Sequence, residues 1–259
     1  MRSYRDGRLY PGTTICWLAL PLNTRTLYNQ NVYDYAHAYL IGSLIILPFW
    51  SLPLYHRKDL ARELLSMSVI GGLLAVLFAP PFLHDYWHPT YVLPLWSFGG
   101  IEDFIYGFFI VGIASVVYEE LFGKKFVKRK GRKKSFSRFA LPALVLYALA
   151  FYLPVYLGLP SIYAALFSFL VLTSVIVSIR HDLLTDTLVS GLIVGLLTLV
   201  GFLLFVKIYP GVVNRFWDLN NVNSTLIIGI PTGELLWAFG LGAAAGPVYE
   251  FFAGQRFRK

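Results

Sequence analysis

The chain has 259 residues, of which 57% are hydrophobic and 14% are charged, and its formal net charge is +8. Soluble domains usually have a smaller apolar fraction, whereas this chain contains repeated apolar runs of about 20 residues, the length of a membrane-crossing helix. The composition therefore excludes an ordinary soluble domain and predicts an all-α, polytopic membrane helical bundle. The single cysteine, Cys16, excludes an intramolecular disulfide and a cysteine metal cluster.

The first 35 residues are mixed and aromatic. Their apolar piece is too short to cross a membrane, so we interpret residues 1–35 as an N-terminal interfacial or re-entrant segment, with a short additional span as the alternative. Seven candidate spans follow, at residues 36–54, 60–83, 99–122, 139–157, 162–179, 183–208 and 226–252.

The positive charge is concentrated in one segment between the third and fourth spans. Nine of the 22 lysines and arginines lie in residues 123–138. In a soluble protein this segment would suggest nucleic-acid binding, but between two apolar runs it is typical of a cytoplasmic loop beside anionic lipid. We therefore expect membrane lipid and no nucleic acid among the partners. We also expect a multi-pass protein of the cell membrane with the basic loop and the C-terminus in the cytoplasm.

Two similar stretches, residues 99–126 and 230–257, organise the chain. Aligned at a constant offset, Asp103 matches Glu234 and Glu119 matches Glu250. Each stretch is thus an apolar helix with an acid near its start and another near its end.

The repeat extends beyond these two stretches, because similar basic-acidic motifs precede the second span of each half. We therefore predict a first three-helix repeat at 36–122, the basic loop at 123–138, a linker helix at 139–158 and a second three-helix repeat at 159–259. The linker returns the chain to its starting orientation, so the two repeats are parallel. A ligand site between the repeats is the expectation for membrane proteins built in this way.

Acids inside the spans are the strongest functional signal. Glu102, Asp103 and Glu234 lie near the starts of the third and seventh spans. A carboxylate at bilayer depth is costly, and burial favours the neutral acid, which can donate a proton. The alternative is that these acids cap helix starts, where negative charge complements the helix dipole. Their equivalent positions in the two repeats favour the functional interpretation.

The second pair of acids lies at the other membrane face. Glu119 and Glu250 follow the first acids by 16 residues, which corresponds to about 24 Å along a helix. They therefore cannot act on the same atom as the first acids. We predict structural ion pairs with arginines near that face, and a head-group or phosphate site is the alternative. The predicted ion-pair group comprises Arg57, Asp59, Glu119, Arg180, Asp182 and Glu250.

Aromatic residues surround the first acids. An aromatic face can stabilise a cation, although aromatic side chains are also common at membrane interfaces and against lipid. The candidates for substrate contact are Phe104, Tyr106, Trp237 and Phe239. His84, Asp85 and His88 resemble a metal trio, but Pro89 interrupts the helical spacing. We therefore expect no metal site.

The acidic stretches resemble motifs of a known family. Residues 100–104 (GIEDF) and 230–235 (IPTGEL) are similar to the acidic motifs of the heterodimeric-type lycopene cyclase domain family, whose members are integral-membrane cyclases that do not bind flavin. Residues 84–87 (HDYW) and 96–98 (WSF) resemble another region of that family. The chain looks like a divergent, fused tandem member. It departs from the family pattern at Gly100, which replaces a proline, and at Gly233, which replaces one of two paired acids.

The resemblance implies a redox-neutral cyclisation that uses no cofactor. An acid protonates a terminal double bond of a linear carotene, the neighbouring double bond attacks the resulting cation, and a base removes a proton to leave a cyclohexene ring. The resemblance assigns donor and base to Asp103 and Glu234, in an order left open, with Glu102 tuning them. The implied substrate is a linear carotenoid or another isoprenoid.

Two other function classes compete with the cyclase. A non-enzymatic transporter or isoprenoid-binding protein on the same repeat is the main alternative, and it predicts flux or binding without turnover. An isoprenoid transferase is disfavoured because the sequence lacks an Asp-rich diphosphate–magnesium motif, for which Asp182 and Asp186 are a poor substitute.

Overall fold

The computed structural model describes residues 34–123, 126–128, 136–222 and 224–257. The described residues are mainly helical, which confirms the predicted all-α class. The N-terminal segment predicted at 1–35 falls almost wholly outside these residues, as does most of the basic loop predicted at 123–138.

Ten α-helices and four short strands are found in this part of the chain. The helices are α1 (Ala38–Leu44), α2 (Leu47–His56), α3 (Ala61–Asp85), α4 (Ile101–Phe122), α5 (Phe136–Tyr156), α6 (Ser161–Ile179), α7 (Leu184–Ile208), α8 (Val212–Phe216), α9 (Thr232–Ala245) and α10 (Val248–Ala253). The strands are β1 (Phe126–Lys128), β2 (Leu226–Ile227), β3 (Ile230–Pro231) and β4 (Gln255–Phe257). Single-turn 3₁₀ helices cover Trp96–Phe98 and His181–Leu183.

Six helical segments within the described residues are long and apolar enough to cross a membrane. They are Ala38–His56, Ala61–Asp85, Ile101–Phe122, Ser161–Ile179, His181–Ile208 and Thr232–Ala253. The fourth predicted span coincides with α5, whose described apolar part, Ala140–Tyr156, is shorter. The multi-pass architecture is thus confirmed, while the predicted number of seven spans is not.

Glycine positions allow the acidic helices to approach their neighbours closely. A Cβ on Gly71 of α3 would lie 2.6 Å from the carbonyl oxygen of Gly107 on α4. A Cβ on Gly242 of α9 would lie 2.6 Å from the carbonyl oxygen of Ser190 on α7. Close backbone approach at small residues is a common way for membrane helices to associate. The two contacts hold α4 against α3 and α9 against α7.

Equivalent positions of the two predicted repeats meet in space. Trp87 and Trp217 form an antiparallel bridge, and their ring centroids lie 4.1 Å apart. Towards the other end of the bundle, β1 and β4 pair antiparallel with Phe126 opposite Phe257. Like positions face each other in both places, as a two-fold relation between the halves would require.

Candidate active site

A cavity of about 640 Å³ touches helices from both halves of the chain. Its lining is mainly aliphatic and aromatic, and its two carboxyl groups belong to Asp103 and Glu234. The lining also includes Tyr249 and Phe252 of α10. Since Glu234 and Tyr249 are 15 residues apart along α9 and α10, the cavity extends over about 20 Å of helix.

Asp103 lies in the first turn of α4 and is buried. The hydroxyl of Tyr39 donates to its Oδ1 at 2.7 Å, and the N–H of Gly100 donates to its Oδ2 at 2.9 Å. The second bond is a helix cap, so Asp103 combines the capping role with a place in the cavity lining. Gly99 has φ of +91°, and a Cβ there would lie 2.2 Å from Oδ2. The turn that holds this carboxyl therefore requires glycine.

Glu234 occupies the equivalent place at the start of α9. The indole Nε1 of Trp217 donates to its Oε1 at 2.9 Å. The hydroxyl of Tyr86 also lies beside this carboxyl. Burial raises the pKa of Tyr86, and the neighbouring Glu234 carboxyl raises it further. The Tyr86 hydroxyl therefore stays protonated beside the acid, although it makes no hydrogen bond to a described residue.

The Glu102 side chain binds the backbone of a loop, unlike the neighbouring Asp103, which lines the cavity. Its Oε1 accepts hydrogen bonds from the backbone N–H groups of Val92 and Leu93, at 2.7 and 3.2 Å. Glu102 is not part of the cavity lining. It ties the loop before α4 to the start of that helix, and so stabilises the turn in which Asp103 sits.

The four aromatic candidates divide into two pairs. Tyr106 and Trp237 line the cavity with their ring centroids 6.2 Å apart. Phe104 packs against α3 at Gly72, and Phe239 packs against α7. Neither of these two phenylalanines lines the cavity. The structure thus brings Tyr106 and Trp237 together with the two acids and leaves the other pair in helix contacts.

Several aromatic residues of the site, including three close to the two acids, were not among the sequence candidates. Tyr39, Trp87 and Trp217 all line the cavity, and the Tyr39 and Trp87 rings lie 5.1 Å apart. The two tryptophans had a sequence signal, because they precede the acidic helices at similar positions of the two halves. Tyr39 had none, because its bond to Asp103 joins residues 64 positions apart.

The predicted ion-pair residues lie at the opposite end of the bundle, defined here as the end that carries Glu119 and Glu250. Arg57 donates two hydrogen bonds to the Asp59 carboxylate, and Arg180 does the same to Asp182. The shorter N–O distances are 2.9 Å in the first pair and 2.6 Å in the second. Hydrogen bonding to Asp59 raises the pKa of Arg57. Each arginine is therefore paired within its own helix connection.

The side chains of the same arginines also contact α4 and α10, where they bind main-chain carbonyl oxygens and not carboxylates. Arg57 donates to the carbonyl oxygen of Glu119 at 2.8 Å, and Arg180 donates to the carbonyl oxygen of Glu250 at 3.4 Å. Both carbonyl groups also accept the N–H of a C-cap glycine, Gly123 or Gly254, so they lie at the negative end of their helix, which attracts cations. The Glu119 and Glu250 carboxyl groups instead lie close to Glu63.

Residues 160–252 match the model of the lycopene cyclase family. The match nearly coincides with the second predicted repeat and confirms the family resemblance over that part of the chain. It includes many residues of the cavity lining, among them Trp217, Glu234 and Trp237. No curated protein and no solved structure matches the chain. The family match and the membrane-type bundle together support a lycopene cyclase-like function.

Asp103 and Tyr39 lie outside the matched residues, yet they share the cavity with Glu234. The lycopene cyclase-like second half therefore forms its candidate site together with the first half of the chain. This arrangement agrees with the expectation of a ligand site between two repeats.

Proposed function

We propose that this protein is an integral-membrane cyclase that closes the linear end group of a carotenoid into a ring by redox-neutral acid–base chemistry. One observation carries the proposal: Asp103 and Glu234, which occupy equivalent positions of the two proposed repeats, line the same apolar cavity. The reaction needs one proton donor and one proton acceptor around a single substrate. The two carboxyl groups supply that pair.

The proposed reaction proceeds by proton addition, ring closure and proton loss. One carboxyl group transfers its proton to a terminal carbon–carbon double bond, and the electron pair of the neighbouring double bond forms the ring bond to the resulting tertiary cation. The second carboxyl group then removes a proton from a ring carbon and leaves a new double bond. One proton enters and one leaves, so the product is an isomer of the substrate and no redox partner takes part.

The surroundings of the acids suit a carbocation. Water would capture such a cation, so the reaction requires a pocket from which water is excluded. The apolar lining meets this requirement, and the faces of Tyr106, Trp237 and Trp217 are available to stabilise positive charge. Tyr39 and Trp217 orient the two carboxyl groups by hydrogen bonds, which fixes where the proton is given and taken.

We also propose which end of the bundle faces the cytoplasm. The concentration of lysine and arginine in residues 123–138 favours a cytoplasmic position for that loop and for the C-terminus. Asp103 and Glu234 then lie in the outer half of the membrane. A linear carotenoid would enter from the lipid with the reacting end near the two acids and its tail directed towards Tyr249.

Expression in a lycopene-producing bacterium, followed by chromatography of the pigments, tests the proposal. The wild-type protein should convert lycopene to a product with a cyclohexene end group. Asp103→Asn and Glu234→Gln should each leave lycopene unconverted, because both replacements preserve shape and remove the acid. Glu120→Gln, on α4 but outside the cavity lining, is the matched control and should retain turnover.

Two results would overturn the cyclase proposal. Lycopene that persists beside wild-type protein inserted in the membrane would contradict it directly. Unaltered lycopene that copurifies with the wild-type protein would support the isoprenoid-binding alternative instead. Wild-type turnover in both acid variants would remove Asp103 and Glu234 from the mechanism.

A further inference from the structure

A second group of buried acids lies at the opposite end of the bundle, away from the proposed reaction. Glu63 on α3, Glu119 on α4 and Glu250 on α10 each place one carboxylate oxygen within 4.8 Å of the others. Their exposed fractions are 3%, 1% and 0%. Three carboxyl groups from three separate helices therefore meet at one buried point.

Asp186 provides an independent indication that this point binds something. It lies on α7, is 1% exposed, and interacts electrostatically with all three glutamates. Its Oδ1 accepts a hydrogen bond from the hydroxyl of Ser190 at 2.9 Å, while no described residue donates to its Oδ2. Both carboxylate oxygens of Glu250 also lack a donor among the described residues. Buried polar atoms normally have partners, so these oxygens call for a ligand.

The nearest arginines donate hydrogen bonds to other groups, although Arg57 also attracts the Glu119 carboxyl electrostatically. Arg57 and Arg180 each bind an aspartate and the main-chain carbonyl of an acidic helix, as described above. Four carboxyl groups in a buried position repel one another strongly when ionised, because the interior screens charge poorly. Arg57 offsets part of the charge of Glu119, and a bound cation or protons must compensate the rest.

The four acids are distributed evenly over the two halves of the chain. Glu63 follows Arg57 by six residues, and Asp186 follows Arg180 by six residues. Glu119 and Glu250 are likewise equivalent in the aligned stretches. Each half thus contributes two carboxyl groups to this region: oxygens of Glu63, Glu119 and Glu250 meet within 4.8 Å, and Asp186 interacts with them electrostatically.

We propose that Glu63, Glu119 and Glu250, with Asp186 beside them, bind a divalent cation that joins the two halves of the bundle. The ligands are all carboxylate oxygens, which favour hard cations such as Ca²⁺, Mg²⁺ and Mn²⁺ over the softer metals bound by sulfur. Calcium–oxygen distances of about 2.3–2.6 Å allow two ligands of one ion to lie up to about 5 Å apart. The separation of the glutamate oxygens, within 4.8 Å, satisfies this limit.

Manganese binding to the purified full chain in detergent tests the proposal. The protein is first treated with EDTA, and bound Mn²⁺ is then measured by electron paramagnetic resonance. The wild-type protein should bind one Mn²⁺ per chain, and excess Ca²⁺ should displace it. Glu250→Gln and Glu119→Gln should each weaken Mn²⁺ binding by at least about tenfold, since each removes a proposed ligand. Glu120→Gln is the matched control beside Glu119 and should bind Mn²⁺ as the wild type does.

The alternative is a proton-sharing cluster without a metal ion. In that case the wild-type protein would bind no Mn²⁺ at millimolar concentration, and the proposal would be wrong. Binding that is equal in the wild type and in both glutamine variants would place the ion elsewhere and would also overturn it. Size-exclusion chromatography of every variant confirms that it is folded, and two ligand variants are included so that misfolding of one leaves the other as the test.

Discussion

The hydrogen bond from Trp217 to Glu234 permits a sharp test of the proposed site. Trp217→Phe removes the indole donor and keeps an aromatic ring in the cavity lining. Trp87 is the matched control, because it lies against Trp217 with ring centroids 4.1 Å apart and also lines the cavity. Among the described residues, the Trp87 indole has no hydrogen bond to a carboxyl group. The two substitutions therefore differ in the loss of one donor.

The expected magnitude follows from the bond itself, whose N–O distance is 2.9 Å. A hydrogen bond between uncharged groups contributes about 0.5–1.5 kcal/mol, and one to a charged group about 1.5–3 kcal/mol. Since about 1.4 kcal/mol corresponds to a tenfold change in rate, the loss in Trp217→Phe lies between about 2-fold and about 150-fold, centred near tenfold. Trp87→Phe should change the rate by less than about twofold, because no donor to an acid is lost.

The assay is the rate of ring formation in isolated membranes, measured by chromatography and normalised to the amount of inserted protein. A clear deficit in Trp217→Phe alone would support the orientation of Glu234 by the indole. Equal rates in the two variants, whether both normal or both reduced, would refute the reasoning. In that event the tryptophans would act through their rings alone.

Three further predictions concern packing and capping around the site. Gly71→Ala should lower the free energy of unfolding by about 1–3 kcal/mol, because its Cβ would lie 2.6 Å from a main-chain oxygen of α4. Gly195→Ala is the control and should leave the free energy of unfolding unchanged, because its Cβ would lie 3.8–3.9 Å from its nearest atoms. Equal losses of stability in the two variants, measured by denaturation in detergent, would contradict the close contact between α3 and α4. Gly99→Ala should reduce ring formation in the membrane assay, because its Cβ would displace the Asp103 carboxyl. Unchanged turnover would show that the turn at Gly99 does not position Asp103 for the reaction. Asp85→Ala should lower the free energy of unfolding by about 1 kcal/mol, because Asp85 accepts hydrogen bonds from the backbone N–H and the hydroxyl of Ser161, the first residue of α6. An unchanged thermal unfolding midpoint would show that this cap does not contribute to stability.

The aligned repeat identified the two acids that line the cavity. Asp103 and Glu234 could be selected from the sequence because ionisable residues in apolar runs are rare and because the pair recurs at equivalent positions. The apolar runs likewise indicated the helices, since hydropathy over about 20 residues reports a span by itself.

Contacts between distant segments could not be read in the same way. The sequence analysis expected Glu119 and Glu250 beside Arg57 and Arg180, and the structure places all four at one end of the bundle. The guanidinium groups contact the main-chain carbonyl groups of these glutamates, however, while the carboxyl groups point towards Glu63. The main-chain and side-chain oxygens of one residue lie only a few ångströms apart, and the sequence pattern is the same whichever of them the arginine contacts. Only the packed structure therefore shows which oxygen accepts the hydrogen bond.

The amino-acid sequence by itself determined the membrane helical class, the paired acidic stretches and the separation of two sets of acids along their helices. These properties are local, because hydropathy and helical rise depend on neighbouring residues. Only the packed structure shows that Asp103 and Glu234 share one cavity, that Tyr39 binds Asp103, that Glu63 meets Glu119 and Glu250 at the opposite end, and that Asp186 interacts with these glutamates. Each of these contacts joins helices distant in the chain. They depend on how closely the glycine-containing helices approach one another, which no local pattern specifies.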